Sequence, residues 1–256
     1  MNKELRSHVL EYLGKGTRYD GRNKEEFRNL VIEKAIIKNA EGSARVKLGE
    51  TEVLAGVKFE LGTPYPDTPD EGTIAVNVEL MAMSSPEFEL GPPGLPAIEL
   101  ARVVDRGIRE SKVIDMKKLC IEKGEKVWMI NIDICSLNDA GNLLDAAGIA
   151  ALSALMTARF PTVKDGKVDY KTLTNDKLSI TKMPLPVTVI KIGNHFLVDP
   201  SSEEESVTES RLTIATTEDG KICALQKGGD VALSLDDISK MIDLALAKSK
   251  DIRKNL

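Results

Sequence analysis

Residues 42–60 read GSARVKLGETEVLAGVKFE, and their pattern is the main indication of the fold. The segment ARVKL (44–48) is predicted as a strand, and in 52–60 apolar residues take alternate positions. These alternating residues are Val53, Ala55, Val57 and Phe59. A period of two is typical of a strand with one buried face. The first folded part of the chain is therefore predicted to be a sheet.

Further strands lie on both sides of this segment. VIEKAIIK (31–38) precedes it across a turn at Gly42, and 74–80 repeats the alternation. The stretches 61–72 and 84–96 are rich in proline and glycine, which predicts loops. The sequence therefore favours a meander of strands joined by turns.

Helical periodicity and a second block of strands complete the pattern. Helices are predicted at 3–13, 97–111, 142–160 and from 235, and the third is apolar nearly all round, which indicates burial on several sides. Strands are predicted at 127–135, 187–192, 195–199, 211–216 and 221–226, and Pro161, Pro184 and Pro186 bracket a connector. Strands followed by helix in both halves predict an α+β fold. We divide the chain into an N-terminal helix and extension (1–26), a first half (27–185) and a C-terminal half (186–256).

Composition limits the functions open to the chain. Its 256 residues carry a net charge of −5 and only 4% aromatics. Base stacking is therefore not expected to dominate any contact with nucleic acid, and basic contacts must be confined to a patch. The three cysteines have no paired spacing, which argues against a disulfide scaffold and a zinc site. We expect no metal, no cofactor, no membrane span and a cytoplasmic location.

The helix AIELARVVDRGIRES (97–111) carries the clearest chemical feature. Its apolar stripe consists of Ala97, Ala101, Val104 and Ile108. Arg102, Arg106 and Arg109 lie on the opposite side, where guanidinium groups can hold phosphate oxygens in a bidentate manner. The alternative is a solvated face whose arginines pair with Glu99, Asp105 and Glu110.

Three segments in order resemble the RNase PH family: RYDGR (18–22), GSARVKLGETEVLAGV (42–57) and ARVVDRGIRES (101–111). The resemblance extends from about residue 18 to 250 and implies the RNase PH fold, a ribosomal protein S5 domain 2-like βαβα core with a second α/β half. Within the family, the loop GTPYPDTPDEG (62–72), the phrase PEFELGPPG (86–94) and the N-terminal helix make the chain most similar to the archaeal exosome ring subunit without an active site.

The resemblance also implies an activity and partners. The family degrades RNA from its 3′ end by phosphorolysis, using a held phosphate and carboxylates that act as an acid or bind magnesium. The implied assembly is a hexameric ring of three heterodimers with a catalytic RNase PH-type subunit, capped by S1- or KH-domain proteins and acting on single-stranded RNA. In that setting Arg102, Arg106 and Arg109 are candidate RNA-binding residues.

The sequence departs from the family pattern at the phosphate site. In LNDAGNLLDAAG (137–148), Asn142 and Leu143 stand where active members have Thr or Ser followed by Arg. Leu143 cannot donate to a phosphate, and Asp145 adds negative charge close by. We therefore expect 142–160 to be a buried helix with an Asn N-cap.

The carboxylate pair is altered as well. Asp199 keeps the first position of the family's aspartate pair, but Glu205 stands at the second, and its longer side chain displaces the carboxylate oxygens. We interpret Glu203, Glu204 and Glu205 as a solvated loop. No catalytic residue is assigned. Two alternatives stay open: an active phosphate-dependent 3′–5′ exoribonuclease and a purely structural ring scaffold.

Overall fold

The structure, a computed structural model, describes residues 3–164 and 166–256. Its helices are α1 (Lys3–Gly14), α2 (Leu95–Ser111), α3 (Leu143–Thr157), α4 (Ser202–Ser206) and α5 (Leu235–Arg253). Its strands are β1 (Leu30–Lys34), β2 (Gly42–Leu48), β3 (Thr51–Gly62), β4 (Thr73–Leu80), β5 (Cys120–Glu122), β6 (Lys126–Asn138), β7 (Arg159–Lys164), β8 (Lys167–Lys177), β9 (Leu185–Ile192), β10 (His195–Val198), β11 (Ser210–Thr216) and β12 (Ile222–Gly228). A short 3-10 helix, Met116–Leu119, precedes β5.

The first sheet forms around the alternating segment 42–60. Its strands lie in the order β1-β2-β3-β6-β4, with β5 paired to β6. All neighbours are antiparallel except β4 and β6, which are parallel. The alternating residues of β3 are buried as predicted: Val53, Ala55, Val57 and Phe59.

The second sheet has the order β10-β9-β11-β12 and is antiparallel throughout. Helix α3 packs against β2 and β3 of the first sheet and against β9 of the second, so it lies between the sheets. Helix α2 lies beside α3 and contacts β4 and β12, while α5 packs on β9 and β11. The predicted α+β class is confirmed.

Burial on both sides explains why α3 is apolar all round. Two glycines allow the close approach of the sheets to this helix. A Cβ on Gly42 of β2 would lie 2.4 Å from the carbonyl oxygen of Ala154, and one on Gly148 would lie 2.3 Å from Cγ of Pro186. Each distance is shorter than atoms tolerate, so larger residues would force the layers apart.

Helix α1 packs away from the main core. Val9 and Leu13 are buried in a small cluster with Ile190, Ile192, Leu197 and Val207. In the described ranges no helix is both long enough and apolar enough to cross a bilayer.

Several boundaries differ from the sequence predictions. The strand predicted for 31–38 ends at Lys34 because Ala35 takes a left-handed conformation with φ of 57°. Gly42 lies in β2 rather than in the turn. The helix predicted for 142–160 ends at Thr157.

The predicted connector after Pro161 was also wrong in part, because β7 and β8 form a hairpin there. Pro161 is tolerated within β7 because the pairing register shifts on both sides of it. Periodicity did not reveal these strands, since most residues of the hairpin are at least partly exposed.

Candidate functional site

Helix α2 presents the arginines that the sequence singled out. Ala97, Val104 and Ile108 are buried as predicted, and Ala101 is half-buried. Arg102, Arg106 and Arg109 are all exposed on the opposite side. The helical spacing therefore places three guanidinium groups on one outward surface.

Arg109 differs from the other two because it already has partners. It donates to both carboxylate oxygens of Asp105, at 2.7 and 3.1 Å, and to the carbonyl oxygen of Ile74 at 2.8 Å. The hydrogen bond and charge of Asp105 raise the pKa of Arg109. Within the described ranges, the side chains of Arg102 and Arg106 have neither an ion pair nor a hydrogen bond.

Arg102 and Arg106 line a cavity of about 550 Å³ that we call the arginine groove. Its other side comes from the second sheet, where Arg211 of β11 and Gln226 of β12 face α2. Arg211 forms an ion pair with Glu99 of α2. Sequence reasoning missed Arg211, since only the packing of α2 against the second sheet brings it here.

The second candidate region is the start of α3, which the sequence resemblance matches to the family's phosphate site. Gly141 and Asn142 both have left-handed backbone, with φ of 91° and 59°. The backbone N–H of Asn142 donates to Oε1 of Glu205 at 2.9 Å. A helix N-terminus attracts anions, and here the nearby anion is the protein's own carboxylate.

Asn142 is the N-cap residue, as expected, but its side chain does not cap the helix. Its Nδ2 donates to Oδ2 of Asp145 at 3.0 Å and to Oδ1 of Asp199 at 2.9 Å. The side-chain amide thus bridges two carboxylates that would otherwise repel each other.

Asp199 is fully buried and is held by arginines. Its carboxylate accepts from Nε and Nη2 of Arg28 at 2.9 and 2.6 Å, and from Nη1 of Arg22 at 2.8 Å. Burial alone would raise the pKa of Asp199, but the hydrogen bonds and charge of Arg28 outweigh it and lower that pKa. Because its oxygens are occupied by these donors, the Asp199 carboxylate does not fit the role of a magnesium ligand.

Arg28 also fills space near the start of α3. It donates to the carbonyl oxygens of Ala140 and Gly141, at 2.8 and 3.0 Å. No local sequence pattern indicates this role, because these partners lie 112 and 113 residues further along the chain.

Asp145 faces inward rather than toward a ligand. It is fully buried and accepts from the backbone N–H and Oγ1 of Thr188, at 3.0 and 2.8 Å. Burial raises the pKa of Asp145 to about 7.

The prediction of a solvated loop at 203–205 was wrong in part, since Glu203 and Glu205 are exposed but the segment is helical and Glu204 is buried. These residues belong to α4, and Glu204 is 1% exposed. Glu204 forms an ion pair with Arg18, the first residue of RYDGR, which is itself buried and donates to the carbonyl oxygens of Val198 and Asp199. The motif therefore anchors the segment that carries Asp199.

Beside α3 lies a cavity of about 350 Å³ that we call the acidic pocket. Four carboxylates line it: Glu87, Glu99, Asp139 and Glu205. Arg211 is the one basic residue among the described residues that line it, and it is already paired with Glu99. Burial, with the negative charge of Glu87, raises the pKa of Asp139. No group of His, Cys, Asp and Glu able to hold a metal ion occurs among the described residues.

Glu205 lies at the mouth of this pocket, and its side chain is exposed to solvent. Its carboxylate nevertheless packs against protein at Asn142, and the resulting loss of hydration, with the charge of Asp139, raises the pKa of Glu205. The local charge is unfavourable for a phosphate.

Comparison with known proteins identifies the family. Residues 26–161 match the model of the 3′ exoribonuclease family, domain 1, and residues 182–248 match domain 2. The chain is 47% identical over 260 residues to the exosome complex component Rrp42 of Thermococcus kodakarensis, covering 98% of this chain and 94% of that protein. It is 48% identical over 249 residues to Rrp42 of Methanosarcina acetivorans, covering 97% and 91%.

Comparison with solved structures leads to the same family. A chain of the Archaeoglobus fulgidus exosome with RNA bound to the active site superimposes with a TM-score of 0.91 at 47% identity, covering 98% of this chain and 97% of that one. A chain of an archaeal exosome core gives a TM-score of 0.87 at 44% identity, covering 98% and 95%. The chain belongs to the 3′ exoribonuclease family, the RNase PH family.

Proposed function

We propose that the chain is a ring subunit of an archaeal exosome, a 3′–5′ RNA-degrading complex, and that it has no catalytic activity by itself. The observation that carries this proposal is the occupied start of α3. Glu205 accepts the N–H of Asn142 there, and the hydrogen-bonding oxygens of Asp199 are used by Arg22, Arg28 and Asn142. A phosphate would have to displace resident carboxylates before it could attack RNA.

Catalysis of RNA degradation would belong to a partner subunit. In the proposed assembly, three copies of this chain alternate with a catalytic RNase PH-type subunit in a hexameric ring. S1- or KH-domain proteins cap one side. The names of the relatives and of the superimposed structures support an exosome role. The three cysteines are free thiols, which agrees with a cytoplasmic complex. We retain the division into 1–26, 27–185 and 186–256 as a proposal.

The test is phosphorolysis of a single-stranded RNA by this chain, by its catalytic partner and by the mixture. We expect release of nucleoside diphosphates to require the partner and to be greatest in the mixture. Release by this chain alone, in phosphate and magnesium, would establish the active-enzyme alternative instead.

We further propose that the arginine groove holds RNA phosphates for the partner's site. Arg102 and Arg106 are exposed and unpaired in the described ranges, so their donors are free for phosphate oxygens. Arg109 belongs to the same surface, but it already donates to Asp105 and Ile74 and therefore has fewer donors left for phosphate oxygens. Such backbone contacts position RNA without reading its sequence.

Charge reversal tests this role. Arg102→Glu with Arg106→Glu should leave the ring assembled but weaken RNA binding by at least about tenfold. The matched control is Lys118→Glu with Lys123→Glu, which changes the charge equally at exposed positions outside the groove. Unchanged affinity and degradation in the arginine variant would support the purely structural scaffold.

A further inference from the structure

A third cavity lies at the opposite end of α3 from the acidic pocket. It has a volume of about 390 Å³ and is formed by the turn before β2, the end of α3 and the β7–β8 hairpin. We call it the hairpin pocket. Since α3 has 15 residues, roughly 20 Å of helix separates its two ends. The hairpin pocket therefore lies apart from both sites described above.

The floor of the hairpin pocket is apolar. Its apolar lining residues are Ala35, Ile37, Ala40, Met156 and Leu173. The volume falls within the range of pockets that receive a ligand or an anchoring side chain. None of the described residues that line it is aromatic, so they offer no platform on which an RNA base would stack.

The rim of the pocket is basic and uncompensated. Lys38, Arg159 and Lys177 are exposed, and in the described ranges none of their side chains has an ion pair or hydrogen bond. Among the described lining residues the one carboxylate is Glu41, which is buried. It is already held by Nζ of Lys58 at 2.6 Å and by the backbone N–H of Phe59 at 3.0 Å. Three positive charges therefore surround an apolar cavity.

Two of these charges are placed directly against each other. Arg159 of β7 and Lys177 of β8 are register partners across the hairpin. Like charges at directly opposed positions of a strand pair are destabilising. An anion bound between them would relieve this repulsion, so the hairpin favours an acidic occupant.

We propose that the hairpin pocket docks an acidic segment of a partner protein. One apolar side chain of the segment enters the cavity above Met156 and Leu173. Flanking carboxylates pair with Lys38, Arg159 and Lys177. The apolar lining without aromatic residues favours a protein segment over RNA, whose phosphates would use only the rim.

The test uses an array of labelled peptides, Glu-Glu-X-Asp-Glu, in which X is each apolar residue in turn or Ser. The full chain is probed before and after the triple change Lys38→Glu, Arg159→Glu and Lys177→Glu. We expect peptides with a large apolar X to bind best and the triple variant to bind them at least about tenfold more weakly. Leu173→Asp should remove the preference for apolar X.

The matched control reverses three exposed lysines elsewhere, Lys118, Lys123 and Lys240, and should bind the peptides like the unaltered chain. Circular dichroism of each variant establishes that the fold is retained. The proposal is wrong if no acidic peptide distinguishes the pocket variant from the control variant. It is also wrong if a 12-nucleotide uridine oligomer, rather than the peptides, loses binding in the pocket variant.

Discussion

The arginine groove and the acidic pocket are adjacent cavities that share a wall, yet they suit opposite ligands. Both are lined by Pro96 and by the ion pair of Glu99 with Arg211. On one side of that pair lie Arg102 and Arg106 with free donors, and on the other lie Asp139 and Glu205. In this chain a pocket unfavourable for phosphate therefore lies directly beside a surface suited to phosphates.

The two regions also differ in how they are stabilised. Arg102 and Arg106 project from a helix whose packing does not depend on them, whereas the start of α3 belongs to a largely buried network of charges. Changes in the groove should therefore alter binding, and changes in the network should alter folding.

The largest effect is expected from Arg28→Ala. The change removes the main partner of the buried Asp199 and leaves Arg22 as its one remaining basic partner among the described residues. We expect a loss of about 3–5 kcal/mol in the free energy of unfolding, measured by urea denaturation. Asp219→Ala, which removes the partner of the exposed Lys221, is the control and should change little. Equal effects of the two changes would contradict a structural network.

The next largest effect is a pH dependence of the folding stability that arises from Asp145. Its folded-state pKa is raised to about 7, above the value in the unfolded chain. Between these two values the unfolded state has released the proton and the folded state retains it. Stability should therefore fall as pH rises across this window, by at most about 1.4 kcal/mol per pH unit, and level off above it.

The measurement compares the unaltered chain with Asp145→Asn, which keeps the shape of the protonated carboxyl. Thermal unfolding is measured from pH 4 to 8. The difference in stability between the two chains should change with pH between the unfolded and folded pKa values of Asp145. The contribution of Asp199 to stability changes with pH in the opposite direction, because the pKa of Asp199 is lowered in the folded state. Its contribution is lost only as pH falls below the usual aspartate range, so it does not obscure the result.

A smaller effect concerns the salt dependence of RNA binding. If Arg102 and Arg106 each contact one phosphate, replacing either by Ala should reduce the slope of log K against log salt by about 0.7. Fluorescence anisotropy with the assembled ring measures this slope. If neither replacement changes the slope of log K against log salt, these arginines do not neutralise phosphates.

The smallest effect is expected from Arg109→Ala. Its pair with Asp105 is partly exposed, so we expect a stability loss of about 1 kcal/mol or less. The salt slope should change less than for Arg102. A change in the salt slope as large as that for Arg102→Ala would mean that Arg109 contacts phosphate as Arg102 and Arg106 do.

Local sequence patterns were sufficient to establish the fold class, the family and the main layers. Alternation in 52–60 and the mostly apolar stretch 143–157 are local properties, and they define the buried face of β3 and a helix enclosed between sheets. The exposed positions of Arg102, Arg106 and Arg109 followed from helical spacing alone. Asn142 and Leu143, at the positions where the family resemblance leads us to expect Thr or Ser followed by Arg, could also be identified without coordinates.

The partners of Glu204 and Asp199 became apparent only from tertiary packing. Arg18 meets Glu204 across 186 residues, and Arg28 meets Asp199 across 171, so no local pattern could show that a cluster of glutamates is partly buried. The difference between Arg109 and its two neighbours likewise depends on a carbonyl oxygen from β4. Charges that are far apart in sequence acquire partners only when layers pack, because periodicity reports which face a residue occupies and not what lies opposite it.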